Sequence, residues 1–464
     1  MKKNILSLFV LLITATLVSC TSDNWKMAAE IENAIVKTSF PADTFNITDF
    51  GAVAGDTSFL NTGAIEAAII KCSNEGGGVV LIPEGTWTTG PVTLLSNVNL
   101  HISENAILLF STSYNLYLPP VLTRWEGMDC YNTHPLVYAI DASNIALTGK
   151  GTIDGQASNE TWWWMNGNPE YGWKEGMNSQ KLAGRPRLLA YEQSQTPVEE
   201  RRFDIEGALR PQLINFMNCT SVLIEDLTLK NSPFWVIHPV RTESLIVRGV
   251  TIKSAGPNSD GCDPESCNNV LIENCFFDTG DDCIAIKSGR NNDGRRWNIP
   301  SRNIIVRDCR MAAGHGGVVI GSEISGGYSN LFVENCEMDS PELLRVIRIK
   351  TSECRGGIVE NINVRNVKVG VCSEAVLHIT LNYEPTEPCI RNFPPVVRNV
   401  TLENVTSNKS KYGIYIEGLD KSVNVSDITL KNCAFNGVEQ GTSITGAERV
   451  KLKKVYINGK KIRR

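Results

Sequence analysis

The sequence predicts an all-β chain folded as a parallel β-helix, a ribbon of short strands coiled turn on turn. Three observations lead there. A degenerate repeat of the form V-x-I/V-x-N/D-V/C recurs about every two dozen residues. Its copies are β-branched, alternate in polarity and are bounded by Gly, Asn, Asp or Ser, the pattern of half-buried strands closed by tight turns. A unit this short cannot cover its own apolar face, so successive copies must stack.

At the N-terminus, Lys2 and Lys3 precede an apolar run over 5–18 that ends Leu17-Val18-Ser19-Cys20. A basic start, a short apolar stretch and small residues before a cut predict an export signal over 1–19. The last four of these residues resemble a bacterial lipobox, which makes Cys20 the lipidation site and first mature residue. A plain secretory signal is the alternative. The lipobox reading puts the protein outside the cytoplasm, anchored at a bacterial membrane (outer membrane, periplasmic face or cell surface), with the membrane involved only through the lipid. Residues 20–44 read as a tether. Residues 45–464 read as one domain, since no linker interrupts them. Within 62–73, Ile65, Ala68, Ile69 and Cys72 recur at i, i+3, i+4 and i+7. That spacing predicts a helix, placed to cap the open end of the coil. Gly76-Gly77-Gly78 ends it.

Early copies of the repeat lie around 96–100 and 143–147. From Val222 onward the third position of each copy falls at 224, 247, 272, 306, 333, 364, 402, 430 and 452. Intervals run from 22 to 38, so the short ones define the coil and the long ones carry insertions. A leucine-rich repeat has a similar period, but its L-x-x-L-x-L frame is absent. Asn at 269, 274, 335, 366, 404 and 432 predicts stacked amide ladders or left-handed turns. Of the fourteen cysteines, Cys275, Cys309, Cys336 and Cys433 alternate with Val and Leu at one repeat position, so they read as small buried hydrophobes. Cys262 with Cys267, and Cys354 with Cys372, are the candidate bridges. No CxxC or HxxxH spacing suggests a metal, and no cofactor is expected. A net charge of −5 without a basic stripe gives no support for nucleic-acid binding. The chain reads as a monomer.

Four polar motifs interrupt the repeat in order: Asn258-Ser259-Asp260, Gly280-Asp281-Asp282, Gly314-His315-Gly316 and Arg348-Ile349-Lys350. Asp260 follows its repeat anchor by 13 residues, Asp281 and Asp282 follow theirs by 9 and 10, and His315 by 9. Similar offsets in successive coils lie about 4.8 Å apart, so these groups can share one patch. Crowded carboxylates push one pKa up and separate an acid from a base, as glycosidic-bond cleavage requires. Asp281 and Asp282 are adjacent, so the backbone must turn at Gly280 for both to serve. Arg348 and Lys350 share a strand face while Ile349 points inward. Two cations beside three carboxylates suit an anionic substrate, with charge neutralisation as the plainer reading. A lone histidine is more often structural, but His315 shares the aspartates' stack.

With these residues in place, the set NxD, GDD, GHG and RIK resembles the polygalacturonase family, glycoside hydrolase family 28. Phe50-Gly51-Ala52, Gly151-Thr152-Ile153-Asp154-Gly155 and the run from Cys283 to Gly289 match it too, so the resemblance spans about 46–460. It implies a right-handed β-helix and metal-free, inverting hydrolysis of α-1,4-galacturonide bonds in pectin or polygalacturonate. It also implies Asp281 as general acid, Asp260 and Asp282 as the pair activating water, and His315 as the group holding the acid's proton and orientation. Arg348 and Lys350 resemble the binders of the galacturonate carboxylate. Asn258 would orient Asp260 or a sugar hydroxyl, and Tyr383 resembles a subsite tyrosine. Lys287 and Arg290 complete the expected substrate contacts. Ser259 departs from the family's usual Thr.

Two insertions bear on where a chain is cut. Residues 156–210 carry Trp162-Trp163-Trp164, Tyr171 and Trp173, which either stack on sugars or pin the loop to the barrel. Residues 290–302 carry Arg290, Arg295, Arg296 and Arg302. Such loops wall off one end of a cleft, which predicts an exo-acting enzyme. The competing readings are a rhamnogalacturonan- or xylogalacturonan-directed hydrolase on the same scaffold, a calcium-dependent pectate lyase, and a non-catalytic β-helix carbohydrate-binding surface protein.

Overall fold

The computed structural model describes residues 23–383, 387–419 and 423–463. Each coil runs through three strands joined by corners, and the strands of successive coils pair in parallel to build three walls of a right-handed β-helix. The first wall is the repeat seen in the sequence. Leu100, Leu147, Ile224, Val247, Ile272, Val306, Val333, Val364, Leu402, Leu430 and Leu452 pair in a single unbroken column. From Leu100 to Leu430 the column faces inward and is fully buried. Burying such side chains stabilises by roughly 1.5–3 kcal/mol each, which is what holds a coil with few local contacts together.

The corners explain the recurring asparagines. Asn269, Asn274, Asn335, Asn366, Asn404 and Asn432 all have φ of 53–55°. Asn tolerates this left-handed region because its short amide bonds locally. Amides also hand hydrogen bonds from coil to coil: Asn303 to Asn269, Asn330 to Asn303, Asn361 to Asn330 and Asn399 to Asn361, at 2.9–3.2 Å. Turn and ladder are therefore the same residues.

Helix α1 (Asp23–Ala34) is followed by the cap, α2 (Thr62–Asn74), which buries Ile65, Ala68, Ile69 and Cys72 over the first coils as its spacing predicts. Glu75 closes α2, and Gly77 lets the next coil approach: a Cβ there would sit 2.5 Å from the Asn97 carbonyl oxygen. At the far end Lys451–Ile457 turns back on Lys460–Ile462 as an antiparallel hairpin, so that edge is paired.

Much of the segment expected as a tether is instead α1, docked on the outer face of the first wall. Ala28, Ile31 and Ile35 cover Ile246, Leu271, Ile305 and Phe332, and Trp25 meets the Phe332 ring edge-on at 5.4 Å. Arg307 grips Glu32 through two hydrogen bonds of 2.8 and 2.7 Å. The reason is readable in the strands. Their outward position is apolar at 246, 271, 305 and 332 but polar at Asn363 and Thr401, so only the middle coils need a cover. Cys20 and the export signal lie outside the described residues.

Neither candidate disulfide forms. Cys262, Cys267 and Cys372 are free thiols buried in the barrel. Cys262 and Cys267 are packed in the hydrophobic interior at separate wall positions, as the repeat cysteines are. Cys354, on the loop after the strand Arg345–Lys350, bridges to Cys389 on a loop that folds back over it.

Replacing Ile31 with Asp should detach α1 at a cost of about 3 kcal/mol, since a charge cannot be buried against that stripe. The expected readout is binding of a hydrophobic dye and protease cleavage before Thr44, with the strand signal in circular dichroism retained.

Candidate active site

The third wall carries the site. Ile237, Cys262, Ile284, Val318, Ile347, Leu377 and Ile414 pair across it in register. Just before these residues, at the corner entering the wall, three successive coils present Asp260, Asp281 with Asp282, and His315. Backbone bonds lock the corners together: Gly261 N–H to the Asp282 carbonyl at 3.0 Å, Cys283 N–H to Gly316 at 2.8 Å and His315 N–H to Asp281 at 3.1 Å. Gly280 serves by its size, not by a left-handed turn, since a Cβ would fall 2.2 Å from the Gly256 carbonyl oxygen. Gly316 leaves a gap beside Asp282, whose Oδ1 would lie 3.0 Å from an added Cβ.

One oxygen of each of Asp260, Asp281 and Asp282 lies within 4.8 Å of the others. That is close enough for a cation, but the matching charges come from side chains. Lys350 Nζ donates to Asp282 Oδ2 at 2.7 Å, with Arg348 Nη1 3.6 Å from Oδ1. Lys287 Nζ lies 3.6 Å from Asp260. His315 Nδ1 lies 2.9 Å from Asp281 Oδ1, which also accepts the Asp282 N–H at 2.9 Å.

The environments separate the groups. Burial first, then the Asp281 charge, pushes the Asp260 carboxyl well above the usual range. Burial also pushes Asp281 up, but the hydrogen bond and charge of His315 outweigh it and hold Asp281 well below the usual range. That same bond raises His315. The free site therefore keeps an imidazolium–carboxylate pair, and a proton on Nδ1 is one short transfer from Asp281.

The six residues Asp260, Asp281, Asp282, His315, Arg348 and Lys350 come together. Asp260, Asp281, His315, Arg348, Lys350, Asn258, Tyr383, Lys287 and Arg290 line one cavity of about 470 Å³, with Asp282 fully buried behind them. Arg348 and Lys350 point outward while Ile349 is buried in the core, as the alternation predicts. The Tyr383 ring centre is 5.9 Å from the Arg348 guanidinium and 5.6 Å from Lys350 Nζ. Asn258 has its Oδ1 held by Arg210 at 2.7 Å and Asn166 at 3.2 Å.

Lys287 and Arg290 line the cavity as expected of substrate contacts, and each also has carboxylate partners in the protein. Lys287 is 3% exposed and surrounded by carboxyl groups, and Arg290 Nη1 meets Glu126 at 2.6 Å. The tryptophans of the first insertion pin the loop. Trp162 is buried against Tyr114 and Tyr117, Trp163 donates to the Ser232 carbonyl at 2.9 Å and Trp164 to the Tyr114 hydroxyl at 3.2 Å.

Sequence reading missed Glu126, Arg185, Trp235, Glu323, Arg355 and Glu387, all of which line the cavity. Four of these six come from segments between repeats. Glu126 is at the tip of a hairpin (Val121–Trp125 with Met128–Asn132), Arg185 is on α3 (Gly184–Gln193), and Arg355 and Glu387 are on the loops joined by the disulfide. Arg290 precedes α4 (Asn291–Trp297). Four of the lining residues form a ring of ion pairs: Arg185 to Glu126 at 2.9 Å, Glu126 to Arg290 at 2.6 Å, Arg290 to Glu387 at 3.4 Å and Glu387 to Arg185 at 3.1 Å.

A stacked-carboxylate pocket of this kind on a parallel β-helix is the site of a sugar-cleaving hydrolase. The sequence profile described as glycosyl hydrolases family 28 matches residues 199–455, and the chain belongs to that family. It is 40% identical to the hyperthermoactive exopolygalacturonase from Thermotoga maritima, whose solved structure superposes with a TM-score of 0.91 over 95% of this chain and 97% of that one. It is 29% identical to a probable polygalacturonase of Vitis vinifera, over 84% of this chain and 74% of the relative. It is also 28% identical to the exo-poly-alpha-D-galacturonosidase of Dickeya chrysanthemi, over 86% and 68%.

His315 should titrate above its ordinary value of 6.5, staying cationic through 6.5 and losing its proton only as pH rises through the raised value. Asp281 contributes its share of the pair's stability above its ordinary 3.8 and loses it as pH falls through its lower value in the fold. Proton NMR of the imidazole checks this: Asp281→Asn should bring the His315 titration down.

Proposed function

We propose that the protein is an exo-acting polygalacturonase, hydrolysing α-1,4-galacturonide bonds of polygalacturonate from a chain end with inversion at the anomeric carbon. The observation that carries the exo reading is the ion-pair ring of Arg185, Glu126, Arg290 and Glu387, borne on segments outside the repeat and lining the same cavity as Asp260 and Asp281, where it can block the path of a continuing chain. A polymer lying across the site needs both ends open, whereas a terminal sugar fits a blind pocket. The family and its exo-acting relatives support the substrate.

In this mechanism His315 Nδ1 passes its proton to Asp281, which delivers it to the glycosidic oxygen as the bond to the anomeric carbon breaks. Water attacks that carbon and gives its proton to Asp260, which faces the cavity, backed by Asp282. Arg348 and Lys350, beside the Tyr383 ring, hold the sugar carboxylate. Inverting pairs commonly stand about 6.5–9.5 Å apart, and this cluster is tighter. Direct attack by a carboxylate is disfavoured here on other grounds, because Asp282 is engaged by Lys350 and Asp260 by Lys287.

Incubation with defined oligogalacturonides, followed by NMR of the anomeric protons, tests the reading. The expected result is an inverted product released from one end, and Asp281→Asn lowers kcat by about a thousandfold. Retained configuration, or an early ladder of mid-length fragments, overturns it.

We also propose export and lipid anchoring at Cys20, on the strength of the basic, apolar and Leu-Val-Ser-Cys order. Labelled palmitate should enter the protein in a lipoprotein-processing bacterium and be lost in Cys20→Ser.

A further inference from the structure

Lys287 occupies an unusual place for a residue of a sugar-binding cavity. Its ammonium is 3.6 Å from Asp260 Oδ2, 3.8 Å from Asp263 Oδ2 and 3.4 Å from Glu323 Oε2, and it lies 4.4 Å from the centre of the Trp235 ring. Three carboxyl groups thus share one cation away from water. Glu323 has a second partner, since Arg290 Nη2 is 3.3 Å away. Asp260 opens onto the cavity. Asp263 is fully buried, and among the described residues neither of its oxygens has a hydrogen-bond donor. An ionised carboxylate without donors in such a place is costly, so the carboxyl that stays neutral is the one with the poorest solvation.

We propose that Lys287 and Asp263 are positioning residues for Asp260: Asp263 holds the cluster's proton, and Lys287 is thereby left to keep Asp260 ionised as the base that activates water, without touching the substrate. This rests on the reading of Asp260 as that base. It replaces the substrate-contact role that the sequence suggested for Lys287. Asp260 is faced by Asp281, Asp282 and His315 on the neighbouring coils, by Lys350 on the third wall, and by Lys287 and Asp263. Of these, Lys287 is the nearest cation to its carboxylate. Burial pushes both Asp260 and Asp263 above the usual carboxylate range while Lys287 opposes it at each, and Asp263, whose oxygens lack donors, is the one left neutral.

The test compares pH profiles of kcat/KM on an oligogalacturonide for Lys287→Met, Lys287→Arg and Asp263→Asn. Lys287→Met should move the acidic limb up by about one pH unit or more, because Asp260 loses its counter-charge, with KM at the optimum unchanged. Lys287→Arg should restore much of the shift. Asp263→Asn should leave the limb in place and remove a protonated-carboxyl band from the infrared spectrum at neutral pH. A raised KM with an unmoved limb in Lys287→Met would make Lys287 a substrate contact and overturn the proposal. So would a downward shift of the limb, or an unchanged infrared band, in Asp263→Asn. If Lys287→Met does not fold, the infrared measurement on Asp263→Asn decides alone. Failure of the exo reading is seen separately, in the product pattern of the unmodified enzyme.

Discussion

The in-register pairing of successive coils is the constraint on which the molecule depends. Parallel strands hydrogen-bonded rung to rung convert a sequence offset into a spatial column about 4.8 Å per step. The column from Leu100 to Leu430 is the hydrophobic consequence, and the cluster of Asp260, Asp281, Asp282 and His315 is the chemical one. Charges brought this close would repel, and the site exists because Lys350, Lys287 and His315 each stand against a particular carboxylate. The scaffold fixes distance, and the counter-charges decide which carboxyl holds a proton.

The first wall was legible because its periodicity is set by burial. Every inward position must be apolar, and the repeat copies at 224 through 452 are the ones that pair. The cluster of Asp260, Asp281, Asp282 and His315 was legible for a related reason: its members leave the repeat at similar offsets of 9 to 13 residues. Arg348 and Lys350 followed from simple strand alternation.

The rest was hidden because it depends on loops meeting in space. Glu126, Arg185 and Glu387 come from segments with no period, so nothing in one-dimensional order says they converge. Lys287 illustrates the limit differently. Its position beside the aspartates was foreseeable, but whether it faces the cavity or the carboxyl groups depends on Asp263 and Glu323, which lie on other coils. The disulfide was missed because Cys372 belongs to the buried wall, whereas Cys354 and Cys389 are on loops. Helix α1 had a signal, the apolar outward residues Ile246, Leu271, Ile305 and Phe332, which are unexplained by a bare solenoid.

The ion-pair ring has a consequence for how such enzymes diversify. Its arginines and glutamates are borne on excursions that leave the barrel at corners and return without disturbing a rung. Lengthening, trimming or exchanging an excursion can therefore relocate the point of scission along a polymer while the reaction chemistry stays untouched. Inheritance of the barrel and turnover of its outgrowths become separable, and new product patterns can arise by insertion and deletion without remodelling the strands.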